Sequence, residues 1–270
     1  MAETSAVERA AAGEARIAAA FAGHGKRAAL MPYLMGGFPD LAASRAVGEA
    51  CAEAGADLLE LGVPFSDPLA DGPTIHAAAT EALSAGATVA GVLGVCEALA
   101  GRLPVVLMVY ANIVLRHGGE RFVRNAADAG ATGLIVPDLP HDEATELRAA
   151  TDAAGLALVP LAAPSTSPER MAELCASARG FVYAVSLMGT TGERSALPPL
   201  LERTVERARA AAALPVAAGF GISTPEQARQ AAGIADGVIV GSRVVRAAGE
   251  GRADAVRSLV AEFADSLASG

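Results

Sequence analysis

Two acidic residues eleven positions apart open the chemistry that this chain offers. They bracket the stretch Glu60-Leu61-Gly62-Val63-Pro64-Phe65-Ser66-Asp67-Pro68-Leu69-Ala70-Asp71-Gly72-Pro73. Glu60 falls at the end of a short apolar run, where strand alternation can turn it into a barrel mouth. Asp71 follows in a loop punctuated by proline and glycine. A carboxylate inside an apolar mouth loses solvation, so its protonated form is favoured and it can serve near neutral pH. A carboxylate on a more exposed loop stays ionised and accepts a proton or a hydrogen bond, so the pair can divide acid and base roles. Simpler uses compete: a buried ion pair for Glu60, and for Asp71 the N-cap of a helix entering at Thr74-Ile75. Taken alone, Asp71 reads as that cap. The density of Pro, Gly and Asp around both residues favours a site, because ordinary connecting loops are shorter and plainer.

A second constellation lies near the C-terminus. Ala218-Gly219-Phe220-Gly221-Ile222-Ser223-Thr224-Pro225 leads into a helix, and Val240-Gly241-Ser242-Arg243 follows the next apolar run. Glycine lets backbone N–H groups approach oxygens, and a helix start presents uncompensated positive partial charge, so both segments suit a phosphate. Tight turns with Ser223 or Thr224 as N-cap account for the first segment but leave Gly241-Ser242 unexplained. Ser186-Leu187-Met188-Gly189-Thr190-Thr191-Gly192-Glu193-Arg194-Ser195 has the glycines and hydroxyls of a lid, or of a loop with no role. Tyr110, Asn112, Asp138 and Tyr183 also fall at or just past strand ends, positions equally open to structural use.

The elements that must position these residues follow from hydrophobic patterning. Eight apolar runs read as strands: 28–35, 57–62, 105–110, 132–136, 157–161, 180–185, 215–218 and 237–240. Alanine-rich segments with surface charges lie between them, such as 44–54, 120–129, 143–154, 168–178 and 225–232, and read as helices. Gly55, Gly130, Gly155 and Gly180 stand where a helix stops and the next apolar run begins. Strand–helix alternation with short connections implies a parallel sheet. Eight such units close most simply into an α/β fold of the (β/α)₈ TIM-barrel class, whose active sites lie at the C-terminal ends of the strands and whose loops after strands seven and eight often hold phosphate. An open doubly wound sheet is the competitor, but Met35-Gly36-Gly37-Phe38-Pro39 after the first strand lacks the G-x-G-x-x-G spacing. Residues 1–26 read as an extra N-terminal amphipathic helix covering the barrel's N-terminal end, within a single domain spanning 1–270.

Composition bounds the rest. Hydrophobic residues make up 52% of the chain, much of it alanine, with 4% aromatics and no Trp, which suits close-packed helices around a small-residue sheet. A formal net charge of -9 without a dense Lys/Arg block argues against nucleic acid or an anionic membrane as partner. Cys51, Cys96 and Cys175 sit inside alanine-rich stretches and read as small buried hydrophobes. His24, His76, His117 and His141 show no spacing that suggests a metal site. Without an apolar leader or a spanning stretch, the chain is expected in the cytoplasm.

The run from Glu60 to Pro73 closely resembles the signature of the tryptophan synthase alpha chain family. The resemblance extends through Met108-Val109-Tyr110-Ala111-Asn112, Pro137-Asp138-Leu139-Pro140, Thr191-Gly192, Gly219-Phe220-Gly221-Ile222-Ser223 and Gly241-Ser242, nearly the whole chain with the family's spacing. It implies cleavage of indole-3-glycerol phosphate to indole and glyceraldehyde 3-phosphate, a retro-aldol lyase reaction needing no cofactor in this chain. It implies that Glu60 is the general acid/base and that Asp71 accepts the indole N–H. Tyr33, Met108 and Phe220 would wall the indole pocket. Tyr110, Tyr183 and Thr191 would stand close to the substrate, with Thr191 approaching Asp71 on closure. Gly192, Gly221, Gly241 and Ser242 would hold the phosphate. Two residues depart from the pattern: Tyr33 stands where Phe is expected, and Leu187 replaces an Arg of some relatives.

The resemblance also implies a beta-chain partner in an α₂β₂ heterotetramer, with pyridoxal phosphate only in that partner. The loops 67–71 and 189–194 are then plausible contact or communication elements. Three alternatives stay open on the residues alone: another phosphate-binding barrel such as a sugar-phosphate isomerase, a stand-alone indole-producing lyase, and a non-catalytic regulatory subunit.

Overall fold

The computed structural model describes residues 6–186, 199–219 and 221–268. Its elements run α1 (Ala6–Gly23), β1 (Ala29–Met35), α2 (Leu41–Glu53), β2 (Leu59–Gly62), α3 (Pro73–Ser84), α4 (Val89–Ala100), β3 (Val105–Met108), α5 (Ala111–His117), α6 (Gly119–Asp128), β4 (Gly133–Ile135), α7 (Thr145–Ala154), β5 (Ala157–Leu158), β6 (Leu161–Ala162), α8 (Pro168–Ser177), β7 (Val182–Val185), α9 (Pro199–Ala211), β8 (Val216–Gly219), α10 (Pro225–Ala232), β9 (Gly237–Val240) and α11 (Ser242–Leu267). The strands pair in parallel in the order β5-β4-β3-β2-β1-β9-β8-β7-β6.

The ends of that order, β5 and β6, are the two halves of one expected strand. Pro160 has no N–H to give to a ladder, so the strand breaks at its middle. Its first half faces β4, where Val159 N–H donates to the Leu134 carbonyl at 2.9 Å, and beyond the break Tyr183 N–H on β7 donates to the Pro160 carbonyl at 3.0 Å. The sheet therefore closes through residues 157–162 into a barrel of eight strand positions, the (β/α)₈ architecture.

Alternation sorts the strand side chains. Met31, Leu58, Val106, Ile135, Ala157, Val159, Phe181, Ala217 and Ile239 form one cluster inside the barrel, while Leu30, Leu59, Leu61, Leu107, Leu134 and Val240 pack outward under the helices. The extra N-terminal helix closes the floor. Ile17 of α1 is fully buried in the inner cluster, a burial that contributes ~1.5–3 kcal/mol. The Arg16 guanidinium donates to the carbonyls of Ala100, Leu103 and Gly130, at and just past the ends of α4 and α6. Those carbonyls have no partner within their own helices, so one side chain satisfies two helix ends.

Helix starts are fixed locally. Asp40 accepts from Ala43 N–H at 2.7 Å to begin α2, Thr88 and Ser167 cap α4 and α8, and Thr224 with Gln227 forms a capping box on α10. Gly55 and Gly130 follow α2 and α6 with φ of 97° and 78°, as expected of glycines that end a helix. Gly180 differs. Its φ is 76°, but α8 already ends at Ser177 with an extended cap at Ala178, so Gly180 turns the chain into β7, where a β-carbon would press on Ala157 and Ile17. Cys51, Cys96 and Cys175 are free and buried in α2, α4 and α8, as small hydrophobes. Among the described residues, no single helix is long and apolar enough to cross a membrane.

Candidate active site

Glu60 follows Leu58 and Leu59 on β2, and alternation turns it inward. It is 1% exposed, and neither carboxyl oxygen finds a hydrogen-bond partner among the described residues. The buried ion pair expected as a competing use of Glu60 is absent among them. Burial and, secondarily, the charge of Asp71 push its carboxyl up to about 8. The acid is thus protonated at neutral pH and close to releasing its proton, the state a general acid requires.

Asp71 lies at the far end of the ten-residue loop between β2 and α3. It does not cap α3. The N-cap is Gly72, which makes no side-chain hydrogen bond, and Pro73 opens the helix. Its missing N–H costs nothing in a first helical turn. The Asp71 carboxylate is instead held by Tyr110. The Tyr110 hydroxyl accepts from Ala70 N–H at 3.1 Å and bonds the Asp71 side chain, and its ring stacks on Phe65 at 5.2 Å between centroids. Burial raises the Asp71 carboxyl, whereas the Tyr110 hydrogen bond and the nearby His76 lower it. The net shift of Asp71 is upward, but it has lowering partners that Glu60 lacks, so the two carboxyls of one site stand in different environments.

Two more tyrosines complete the mouth. Tyr33 pairs in register with Glu60 across β1 and β2, and its ring extends over Gly62, where a β-carbon would fall 2.1 Å from its hydroxyl. Tyr183 on β7 lies over Gly219 on β8, where a β-carbon would meet its ring and hydroxyl at 2.5 Å. Only glycine leaves room for either ring. Both hydroxyls are pushed well above the usual phenol range, first by burial and then by the acids: Asp71 and Glu60 for Tyr33, Glu60 for Tyr183. Met108, in register with Gly62, is half-buried and packs against the same wall as Tyr33.

The anion end lies on the neighbouring strands. Gly241, just past β9, is the N-cap of α11 and provides no side-chain cap. No side chain caps the first N–H groups of α11, which runs from Ser242 to a kink at Arg252 (φ 52°), so they can serve an external acceptor. A β-carbon on Gly241 would touch Tyr33 Cβ at 3.7 Å, so this helix start borders the acid pocket. Ser242 begins the helix and is exposed, and Gly221, exposed at φ 84°, follows β8. The helix after Gly221 is different: the Gln227 side chain takes the N–H groups of Ser223 and Thr224, so α10 is capped from within. Of the two helix starts at this end, that of α11 lacks a side-chain cap and that of α10 has one.

Other expected residues have structural employment. Asp138 accepts the Ala111 N–H at 2.8 Å at the start of α5, and Asn112 is exposed on that helix. Thr191, Gly192, Phe220 and nearly all of the expected lid, including Leu187, lie outside the described residues. Sequence reasoning missed Phe65, and it missed the service of Gly62 and Gly219 as seats for tyrosines. The available signal was a glycine near a strand end with tyrosine at a nearby level of the adjacent strand.

A site with a buried acid held protonated, a second acid in a more polar setting, an apolar wall and a helix start without a side-chain cap can protonate a carbon framework while holding an anionic tail. Known proteins agree with that arrangement. Residues 20–268 match the family model described as tryptophan synthase alpha chain. The chain is 50% identical over 223 residues to a tryptophan synthase alpha chain of Prochlorococcus marinus, covering 82% of this chain and 81% of that one. It is 46% identical over 235 residues to that of Geobacter sulfurreducens, covering 86% and 89%. A crystal structure of tryptophan synthase from M. tuberculosis, in an open form with BRD0059 bound, superposes with a TM-score of 0.87 at 41% identity, covering 94% of this chain and 99% of that one. A chain from the a2b2 complex of Pyrococcus furiosus tryptophan synthase gives 0.83 at 36% identity, covering 88% and 98%. These similarities set the sugar-phosphate isomerase alternative aside, and the chain belongs to the tryptophan synthase alpha chain family.

Proposed function

We propose that Glu60 and Asp71 carry the family's lyase reaction, the retro-aldol cleavage of indole-3-glycerol phosphate to indole and glyceraldehyde 3-phosphate. Glu60 delivers its proton to the indole carbon that bears the glycerol side chain. The ring becomes an electron sink, and the Asp71 carboxylate accepts the indole N–H and stabilises the positive charge developing there. The carbon–carbon bond breaks as the adjacent side-chain hydroxyl loses its proton to Glu60. Its electrons form the aldehyde, and the bond pair returns to the ring. One proton enters and one leaves, so the acid is restored without a metal or Schiff base.

Tyr33 and Met108 wall the ring pocket, Tyr183 faces the reacting side chain, and Tyr110 fixes Asp71. Gly221, Gly241 and Ser242 take the phosphate at the start of α11. The observation that carries this reading is the pairing of a buried, partnerless Glu60 with an Asp71 that Tyr110 holds by a hydrogen bond.

We assign no cofactor to this chain and place pyridoxal phosphate in a beta-chain partner. The P. furiosus relative was solved as an a2b2 complex, which supports the same α₂β₂ assembly here. The loop 67–71, with Leu69 87% exposed, is a contact element for that partner. The family match and the lack of a spanning helix among the described residues support a cytoplasmic location. Incubating the purified chain with indole-3-glycerol phosphate, with and without a beta chain, tests the reading. Indole and glyceraldehyde 3-phosphate are expected in equal amounts. Activity without the beta chain marks a stand-alone lyase, and no indole in either arm contradicts the assignment.

A further inference from the structure

The reaction leaves Glu60 as a carboxylate once its proton has moved to the ring, and the structure surrounds that position with no cation among the described residues. The charge that acts on Glu60 is that of Asp71 from the loop after β2; Glu60 in turn acts on Tyr33 from β1 and Tyr183 from β7, while Tyr110 and His76 act on Asp71. A buried carboxylate without donors is costly, and a hydrogen bond donated to the charged form is the usual remedy. We propose that the Tyr33 hydroxyl is this donor: it is a positioning group that receives the Glu60 carboxylate by a hydrogen bond when the acid has given up its proton.

Geometry makes Tyr33 suited to the task. Registered residues on adjacent parallel strands face the same side about 4.8 Å apart, and Tyr33 and Glu60 are such a pair. The ring then runs toward the mouth, with its hydroxyl seated over Gly62, two residues beyond Glu60 on the same face. Met35, Ala78, Ala79, Ala82 and Val245 flank the ring as an apolar wall that fixes its direction. Burial and the two acids keep the hydroxyl protonated, so it acts as a donor and not as a second anion.

This inference rests on Glu60 being the acid of the reaction. The test is Tyr33→Phe, which keeps the ring over Gly62 and removes one oxygen. The turnover of indole release is expected to fall about tenfold with KM within about twofold, the worth of one hydrogen bond to a charged group. Glu60 works protonated, so activity is lost as pH rises through its titration. Removing a donor to the charged form raises that titration, and the alkaline limb of turnover should move up by about one pH unit. A second readout needs no activity: the infrared band of the protonated Glu60 carboxyl, identified by its loss in Glu60→Gln, should titrate at higher pH in Tyr33→Phe. Reduced turnover with both titrations unchanged would mean that the hydroxyl acts through packing alone, which overturns the proposal, as does wild-type behaviour throughout. If Glu60→Gln itself retains near-normal turnover, the underlying reading fails. An unmoved band then also overturns the contact, whereas a shifted band still shows that Tyr33 meets Glu60.

Discussion

Glu60 binds a proton in the folded protein that the unfolded chain releases at much lower pH. Its carboxyl is raised from 4.5 to about 8, chiefly by burial. Between those values the native state holds more protons than the unfolded one, so stability falls as pH rises through the window. Glu60→Gln removes that liability. The variant is expected to melt higher than wild type at pH 8, by on the order of 3 kcal/mol, with the difference shrinking toward pH 5. Thermal melts across that range check it, and parallel curves for the two proteins would contradict a buried titrating acid. At this scale much of the site could be read from residue order, because alternation on β2 and the Pro/Gly/Asp density of the next loop single out Glu60 and Asp71. The anchoring of Asp71 by Tyr110 could not be read, since the tyrosine binds a loop segment 40 residues away in the chain. The capping alternative for Asp71 failed because Gly72 and Pro73 start α3 without a side-chain acceptor.

Elements follow the apolar runs closely where the run has one fate, and less well where it has two. Residues 104–115 are one apolar stretch, yet only Val105–Met108 is strand, and the chain turns into α5 at Ala111 once Asp138 supplies an acceptor from a neighbouring loop. Local patterning cannot show a partner that arrives from another connection. The fifth strand breaks for a reason the sequence does display, Pro160, although the pairing of its halves with opposite neighbours depends on barrel closure. The start of α11 carries the element-scale prediction. Gly241 has φ of -103°, a value any L-residue tolerates, and a β-carbon would meet Tyr33 at an ordinary 3.7 Å. Gly241→Val is therefore expected to fold, while its branched side chain obstructs approach to the helix amides. KM should rise about 10- to 100-fold with a smaller change in turnover, the loss of one charged hydrogen bond. Unchanged saturation kinetics would remove this helix start from the phosphate site.

Across the whole molecule, function depends on bringing distant segments to one rim. The acids come from β2 and the connection after it, the tyrosines from β1, β7 and the start of α5, and the anion-binding amides from the start of α11. The net charge of -9 supplies no general attraction for a phosphate ester, so recognition must be local, through a helix start and glycine amides. Closure of the barrel through residues 157–162 and the plug formed by Ile17 hold the strands whose ends carry these groups. The most direct test of the account is turnover of indole-3-glycerol phosphate to indole by Glu60→Gln, compared with wild type at saturating substrate and in the presence of a beta chain. Loss of a positioned acid predicts a decrease of ~10²–10⁴-fold in a variant that remains folded. Turnover within a few-fold of wild type would contradict it.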